Sequence, residues 1–284
     1  MSSDDIDVPD FGYLPFDHYV MTKWNPTSPL PATQQKKHLV ENWIKLGKYG
    51  RREYLREIPD PDEIPSDIPQ DLLTRKERAH NGQIERTLFI RTWYGDPNNT
   101  ESREKADSDY ARLIGVISDE YGELGLMMDE FFVFDDKEVI SSLQAQSGGE
   151  GRDERVEFSD GVAIARPGSM PSYVLTALTH CPDQIDGSRV EDLDDFPPDE
   201  LIEGWQMLLV IIADRKACED GWVLHLAINH KGHVLPFRVR DRADYVSTNL
   251  GNWSDGQRLT ENTLNPEEDV EMYMDHGGSA SGWD

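Results

Sequence analysis

Four aspartates and two arginines stand at or just after short apolar runs. Arg91 closes TLFIR and Asp96 follows five residues later, Asp135 and Asp136 follow FFVF, and Asp214 with Arg215 follows MLLVIIA. If those runs are parallel strands, their carboxyl ends fall on one edge of a sheet, where open α/β proteins bind ligands. Carboxylates gathered there beside Arg91 and Thr92 could hold a Mg²⁺ and orient a phosphate, because Mg²⁺ takes a few carboxylates and leaves positions for water and substrate. The same residues have a structural use. Aspartate at a strand-to-helix junction is what a helix N-cap requires, and Asp96-Pro97 is a usual turn start. Asp135 also has Glu138 three residues on, the spacing of a capping box with Asp in the Ser/Thr position. Capping accounts for each aspartate with no ligand; a metal or phosphate pocket is the alternative.

Two further groups invite a chemical reading. His225, His230 and His233 are close enough in sequence to suggest zinc ligands, but strand alternation puts His225 on the face opposite Leu224 and Leu226, with the other two in or beside a turn. A sheet histidine with its hydrogen bonds made and two exposed turn histidines is the expectation. The stretch STNLGNWSDG gathers Asn249, Gly251, Asn252 and Gly256 around Trp253, and reads as a compact loop or as a ligand loop carrying Asn249 and Asn252. No phosphate-loop, nucleophile-elbow or HExxH pattern occurs, and Gly148, Gly149 and Gly151 lack the Lys and Ser/Thr that a phosphate loop needs. No cofactor is indicated.

These residues must be positioned by a sheet. Met207 to Ala213 is apolar throughout, as suits a central strand covered on both faces. WVLHLAI and HVLPFRVR flank a polar connection ending in Gly232, and should pair as an antiparallel hairpin beside it. Upstream, Thr87 to Thr92 and Phe131 to Phe134 read as strands alternating with helices at Ser108 to Asp119 and from Lys137, which argues for parallel pairing. Val162 to Ala165 reads as a short strand, Tyr173 to Leu178 as a strand or a helical turn, and Asp199 to Trp205 as a short helix; the Gly-rich interval Gln144 to Asp160 reads as a loop. The fold class expected is α/β, a single domain with a mixed sheet, parallel strands plus an antiparallel hairpin, flanked by helices.

The flanks read differently. Residues 1–82 form an N-terminal extension: Met1 to Pro31, proline-broken and aromatic, should lie extended against the core; Gln34 to Leu46 has the apolar spacing of an amphipathic helix ended by Gly47; Ile58 to Pro69 is a Pro-rich linker. The α/β domain then covers 83–265, and 266–284 is an acidic and Gly/Ser-containing tail. The basic helix 34–46 packs on the acidic domain or offers a docking element for a protein partner or a membrane surface.

With the elements placed, four stretches resemble, in order, a family of uncharacterised bacterial and fungal proteins known as a domain of unknown function. They are TLFIRTWYGD (Thr87 to Asp96), VFDD (Val133 to Asp136), IIADR (Ile211 to Arg215), and FRV (Phe237 to Val239) with STNLGNWSD (Ser247 to Asp255). The family's segments read LLVRTDFSDD, a strand ending in an acidic pair, a VAD-like strand end, and FRV followed by NNLSIANMDF. Trp93 and Tyr94 stand where Asp and Phe are usual, and Trp253-Ser254 replaces Met-Asp. The resemblance spans about two-thirds of the chain and implies a fold and a domain boundary, not a reaction.

Charge and cysteine usage bound the function classes. Lys plus Arg number 28 against 55 for Asp plus Glu, a net charge of −27, which argues against broad contact with nucleic acid or anionic membrane. Ordinary solubility explains that charge; salt adaptation or imitation of nucleic acid would produce it too. Cys181 and Cys218 share no motif, so neither a disulfide framework nor a structural zinc is indicated, and the chain reads as soluble, cytoplasmic and reduced. No run approaches the ~18 apolar residues of a membrane span. The reading that follows is a non-catalytic binding or accessory module; the alternative is a magnesium-dependent enzyme acting on a phosphate or phosphodiester at the carboxylate-lined edge.

Overall fold

The structure, a computed structural model, describes residues 11–73, 87–119, 131–147, 157–159, 162–164, 170–186, 204–257 and 259. Its strands are β1 (Thr87–Arg91), β2 (Phe131–Phe134), β3 (Glu157–Ser159), β4 (Val162–Ile164), β5 (Leu208–Ala213), β6 (Trp222–Ile228) and β7 (Val234–Arg242). Five form one sheet in the order β2-β1-β5-β6-β7, and β3 with β4 forms a separate antiparallel pair. β1 runs parallel to both β2 and β5, whereas β5, β6 and β7 are successively antiparallel. The protein is α/β with a mixed sheet flanked by helices, as its apolar periodicity implied.

The helices are α1 (Pro15–Lys23), α2 (Ala32–Lys45), α3 (Gly47–Arg51), α4 (Gln70–Leu73), α5 (Thr100–Asp119), α6 (Lys137–Ser147), α7 (Ser172–Leu178), α8 (Arg215–Asp220) and α9 (Val246–Ser254). All six residues of β5 are buried, and alternation divides them between two cores. Leu208, Val210 and Ile212 join Leu224, Leu226 and Ile228 of β6 beneath α1, α2 and α7. Leu209, Ile211 and Ala213 join Phe89 and Val223 beneath α5, α8 and α9. An unbroken apolar run is therefore what a strand with a helical layer on each face requires.

The N-terminal segment departs from expectation. Residues 15–23 are helical, not extended, because Pro15 occupies the first helical position, where its missing N–H costs nothing. The Asp17 carboxylate accepts the Gly12 and Leu14 N–H groups at 2.9 and 3.3 Å and so fixes the entry to the helix. Gly12 sits at φ +97°, and a Cβ there would lie 2.2 Å from Pro59 Cδ, so only glycine fits beneath that proline. Phe16 and Tyr19 then meet Trp43 of α2 at ring-centroid distances of 5.5 and 5.3 Å, and Tyr54 closes the group 5.1 Å from Tyr19. Ile68 and Leu72 are buried in the same core as β5, so Ile58 to Pro69 delivers a packed segment as well as an extended one. Trp24 Nε1 donates to the Asp67 carbonyl across that interval.

Five other readings change. α5 begins at Thr100 rather than Ser108: its first two turns are polar, and Asn99 starts it by accepting the Ser102 N–H at 3.2 Å. Residues 172–178 are helical, residues 144–147 end α6, and Glu157 to Ser159 pair with β4, where a loop was expected. The stretch 247–254 is helix α9, not a loop, since Val246 and Leu250 with Trp253 recur at offsets of four and three and pack on the second core. The expected helix at Asp199 to Trp205 and the tail after residue 265 lie outside the described residues, apart from Gly204 and Trp205.

Candidate functional site

Arg91 ends β1 at the carboxyl edge of the parallel strands, with its side chain only 7% exposed. Its guanidinium lies 4.3 Å from the ring centroids of both Tyr94 and Tyr110. Nε donates to the Trp93 carbonyl at 3.0 Å, Nη2 donates to Asp107 Oδ1 at 2.6 Å, and Nη1 stands 3.9 Å from Asp135 Oδ2. The Tyr94 hydroxyl donates to Asp135 Oδ1 at 2.7 Å. Burial, reinforced by the Asp135 carboxylate, pushes the Tyr94 phenol well above its ordinary range, and burial does the same to Tyr110. Both rings therefore stay neutral, and the cation between them is balanced by Asp107 and Asp135. The result is an arginine held by two rings and two carboxylates.

The neighbouring loop is built to deliver those rings. Gly95, at φ +77°, turns the chain so closely over α5 that a Cβ would sit 2.4 Å from the Ser102 carbonyl oxygen. Asp96 is exposed and makes a turn: its Oδ1 accepts the Asn98 N–H at 2.8 Å while its own N–H donates to Ser102 Oγ. Arg215 stacks 5.2 Å over the Trp93 ring and donates to Glu219 at 3.0 Å.

The remaining aspartates point elsewhere. Asp136, not Asp135, caps α6: its Oδ1 accepts the Val139 N–H at 3.0 Å, and the Asp135 to Glu138 capping box does not form because the helix starts one residue later. Asp214 caps α8 by accepting the Ala217 N–H at 3.0 Å, and its carboxylate pairs with both terminal nitrogens of Arg240. The Asp214 and Arg240 side chains are 0% and 1% exposed. Of the two candidate asparagines, Asn249 lies on α9, where its Nδ2 donates to Asp241 Oδ2 at 3.1 Å, and Asn252, further along α9, accepts the Gln257 N–H at its carbonyl. Thus Arg91 and Asp135 come together, Arg215 borders them through Trp93, and the side chains of Asp96, Asp136, Asp214 and Asn249 each serve a separate local structure, while Asn252 lies apart on α9.

The histidines also differ from expectation. His230 is fully buried rather than exposed: Nδ1 accepts the Lys48 N–H at 3.0 Å, and its carbonyl accepts Arg51 Nη2. His225 is equally buried, and neither ring nitrogen makes a hydrogen bond of ordinary geometry among the described residues, although the Val223 and Val239 carbonyls act on the ring. His233 is exposed. Among the described residues no group of three or more His, Cys, Asp and Glu side chains is placed to hold a metal ion.

Asp107, Tyr94, Tyr110, Arg240 and Asp241 are not among the site residues that the sequence suggests. Asp107 and Tyr110 sit three apart on one helix face, a signal hidden as long as the helix was started at Ser108. The cap assignment is open to measurement. Asp136→Ala should lower stability by ~0.5–2 kcal/mol and speed amide exchange at Val139, whereas Asp135→Ala should leave Val139 protected and instead free the Tyr94 hydroxyl. Equal protection at Val139 in both variants would return the cap to neither residue. Compared with known proteins, the chain matches no family model, no curated protein and no solved structure.

Proposed function

We propose that this chain is a non-catalytic binding or accessory module whose docking element is the exposed face of α2. The observation that carries this reading is the separate engagement of the four aspartates that a magnesium site would need. Asp96 makes a turn, Asp135 holds Tyr94, and Asp136 and Asp214 cap two different helices. A metal site needs carboxylates free to converge, and capping carboxylates are already aimed at backbone N–H groups. No helix among the described residues is long and apolar enough to cross a membrane.

α2 supplies the partner-facing side. Leu39, Val40, Trp43 and Ile44 face the core, while Lys37, His38, Asn42 and Lys45 are exposed. In a chain of net charge −27, that cationic stripe is where an acidic protein surface meets least repulsion. A Mg²⁺ titration followed by thermal unfolding tests the non-catalytic part: the expected midpoint is independent of Mg²⁺ beyond ionic-strength controls. A saturable Mg²⁺-dependent rise that Asp135→Asn removes would establish the competing reading, a magnesium-dependent phosphate or phosphodiester enzyme. Anisotropy of a labelled poly-Glu peptide tests the docking part. Binding at low salt should weaken in Lys37→Glu/Lys45→Glu with the unfolding midpoint unchanged, and equal binding by both forms would discard α2 as the docking element.

A further inference from the structure

We propose that His225 is a buried acid sensor, and that its protonation loosens α9 and the adjoining end of β7 from the sheet. His225 lies on β6 opposite Ile211 of β5 and Val239 of β7, on the face covered by α5, α8 and α9. It is 0% exposed, and neither imidazole nitrogen makes a hydrogen bond of ordinary geometry among the described residues. The charged groups that act on it are both on β7: Asp241, which favours the protonated ring, and Arg240, which opposes it. Arg240 is itself neutralised by Asp214. From the other elements of this core come Ile211, Leu113, Ile117, Val246, Leu250 and the Cys218 thiol, which burial pushes up to about 12 and so keeps uncharged. Burial drives the His225 pKa below its ordinary value, outweighing Asp241 and the Val223 and Val239 carbonyls.

The anion nearest in chemistry to that ring already has partners. Asp241 Oδ1 accepts the Arg242 N–H at 2.8 Å, and Oδ2 accepts Asn249 Nδ2 from α9 at 3.1 Å. Asn249 is 3% exposed, so an amide that loses Asp241 is left buried without that bond. A proton on His225 thus has two outlets. Asp241 turns toward the imidazolium and releases Asn249, or the helical layer opens and water receives the charge. Either way α9 is what gives.

The sign follows from linkage. The folded-state pKa lies below that of free imidazole, near 6.5, so the opened form binds the proton more tightly and opening is favoured as pH falls through that range. The readout is hydrogen–deuterium exchange of the full chain, corrected for intrinsic exchange, in peptides covering Val246–Ser254 and in peptides covering β5. Below about pH 6.5 the opening constant of α9 should rise about tenfold per pH unit while β5 stays protected. In His225→Leu and, as a polar second variant, His225→Gln, the α9 opening constant should be flat with pH. A pH-independent α9 in the parent chain, a slope that survives in a folded variant, or an equal slope in β5 would each overturn the proposal. Should neither variant fold, histidine-labelled NMR of the parent chain decides: the His225 ring signal must change over the same pH range as α9 opening, and a mismatch refutes the sensor.

Discussion

Val210→Asp is expected to leave the chain unfolded. Val210 is 0% exposed, faces the core beneath α1, α2 and α7, and is paired with Leu88 on β1 and Leu226 on β6. Its cross-strand neighbours Leu88 and Leu226 are apolar, so a carboxylate there gives up its hydration among hydrocarbon side chains, at a cost whether it is charged or neutral. A loss of several kcal/mol follows, against a total stability of about 5–15 kcal/mol for a domain. Val210→Thr, nearly isosteric, exchanges one methyl for a hydroxyl and should fold with a loss of ~1–3 kcal/mol. Circular dichroism and urea unfolding of the two variants check the pair of outcomes; a cooperative transition in Val210→Asp at the parent's midpoint would remove β5 from the centre of the sheet.

The second large effect is at Asp214 and Arg240. Arg240→Met leaves the Asp214 carboxylate fully buried with its cap bond to Ala217 but no cation, and should cost ~3–5 kcal/mol. The double variant Asp214→Asn/Arg240→Met keeps a side chain able to cap α8 and carries no charge, so most of the loss should be recovered. Urea midpoints of the parent, both single variants and the double variant form the cycle that tests this. Additive losses would show that the two side chains do not act as a pair.

How much of this was legible in the sequence depends on the range of the interaction. β1, β5 and β6 announce themselves because burial on both faces leaves a largely apolar run that needs no partner to be recognised, and the edge strands β2 and β7 show as short runs rich in aromatic and β-branched residues. α1 and α9 were misread for the opposite reason. Pro15 looks like a breaker unless the helix is known to begin there, and Asn249, Gly251 and Asn252 look like a loop unless Val246, Leu250 and Trp253 are seen to face one core. The site was legible in its residue types but not in its pairings. Arg91 meets Asp135 across 44 residues, and Asp214 meets Arg240 across 26, distances over which local spacing carries no information. The single-residue shift of the cap from Asp135 to Asp136 shows the same limit at short range: both aspartates satisfy the local rule, and the end of β2 decides between them.

The staple between the N-terminal helices and the hairpin turn sets the order in which this protein can mature. Lys48 donates its N–H to His230 across 182 residues, Arg51 grips the Trp43, Ile44 and His230 carbonyls together, and Trp43 Nε1 reaches the Pro182 carbonyl. On a ribosome adding about 5–20 residues per second, α1 and α2 emerge many seconds before the turn that completes their docking. Their aromatic face must wait, exposed, until residues 205 to 234 leave the exit tunnel. Docking is thereby delayed until that segment has emerged, and the nascent chain with α1 and α2 outside and β5 to β7 still inside is the form that most needs a chaperone.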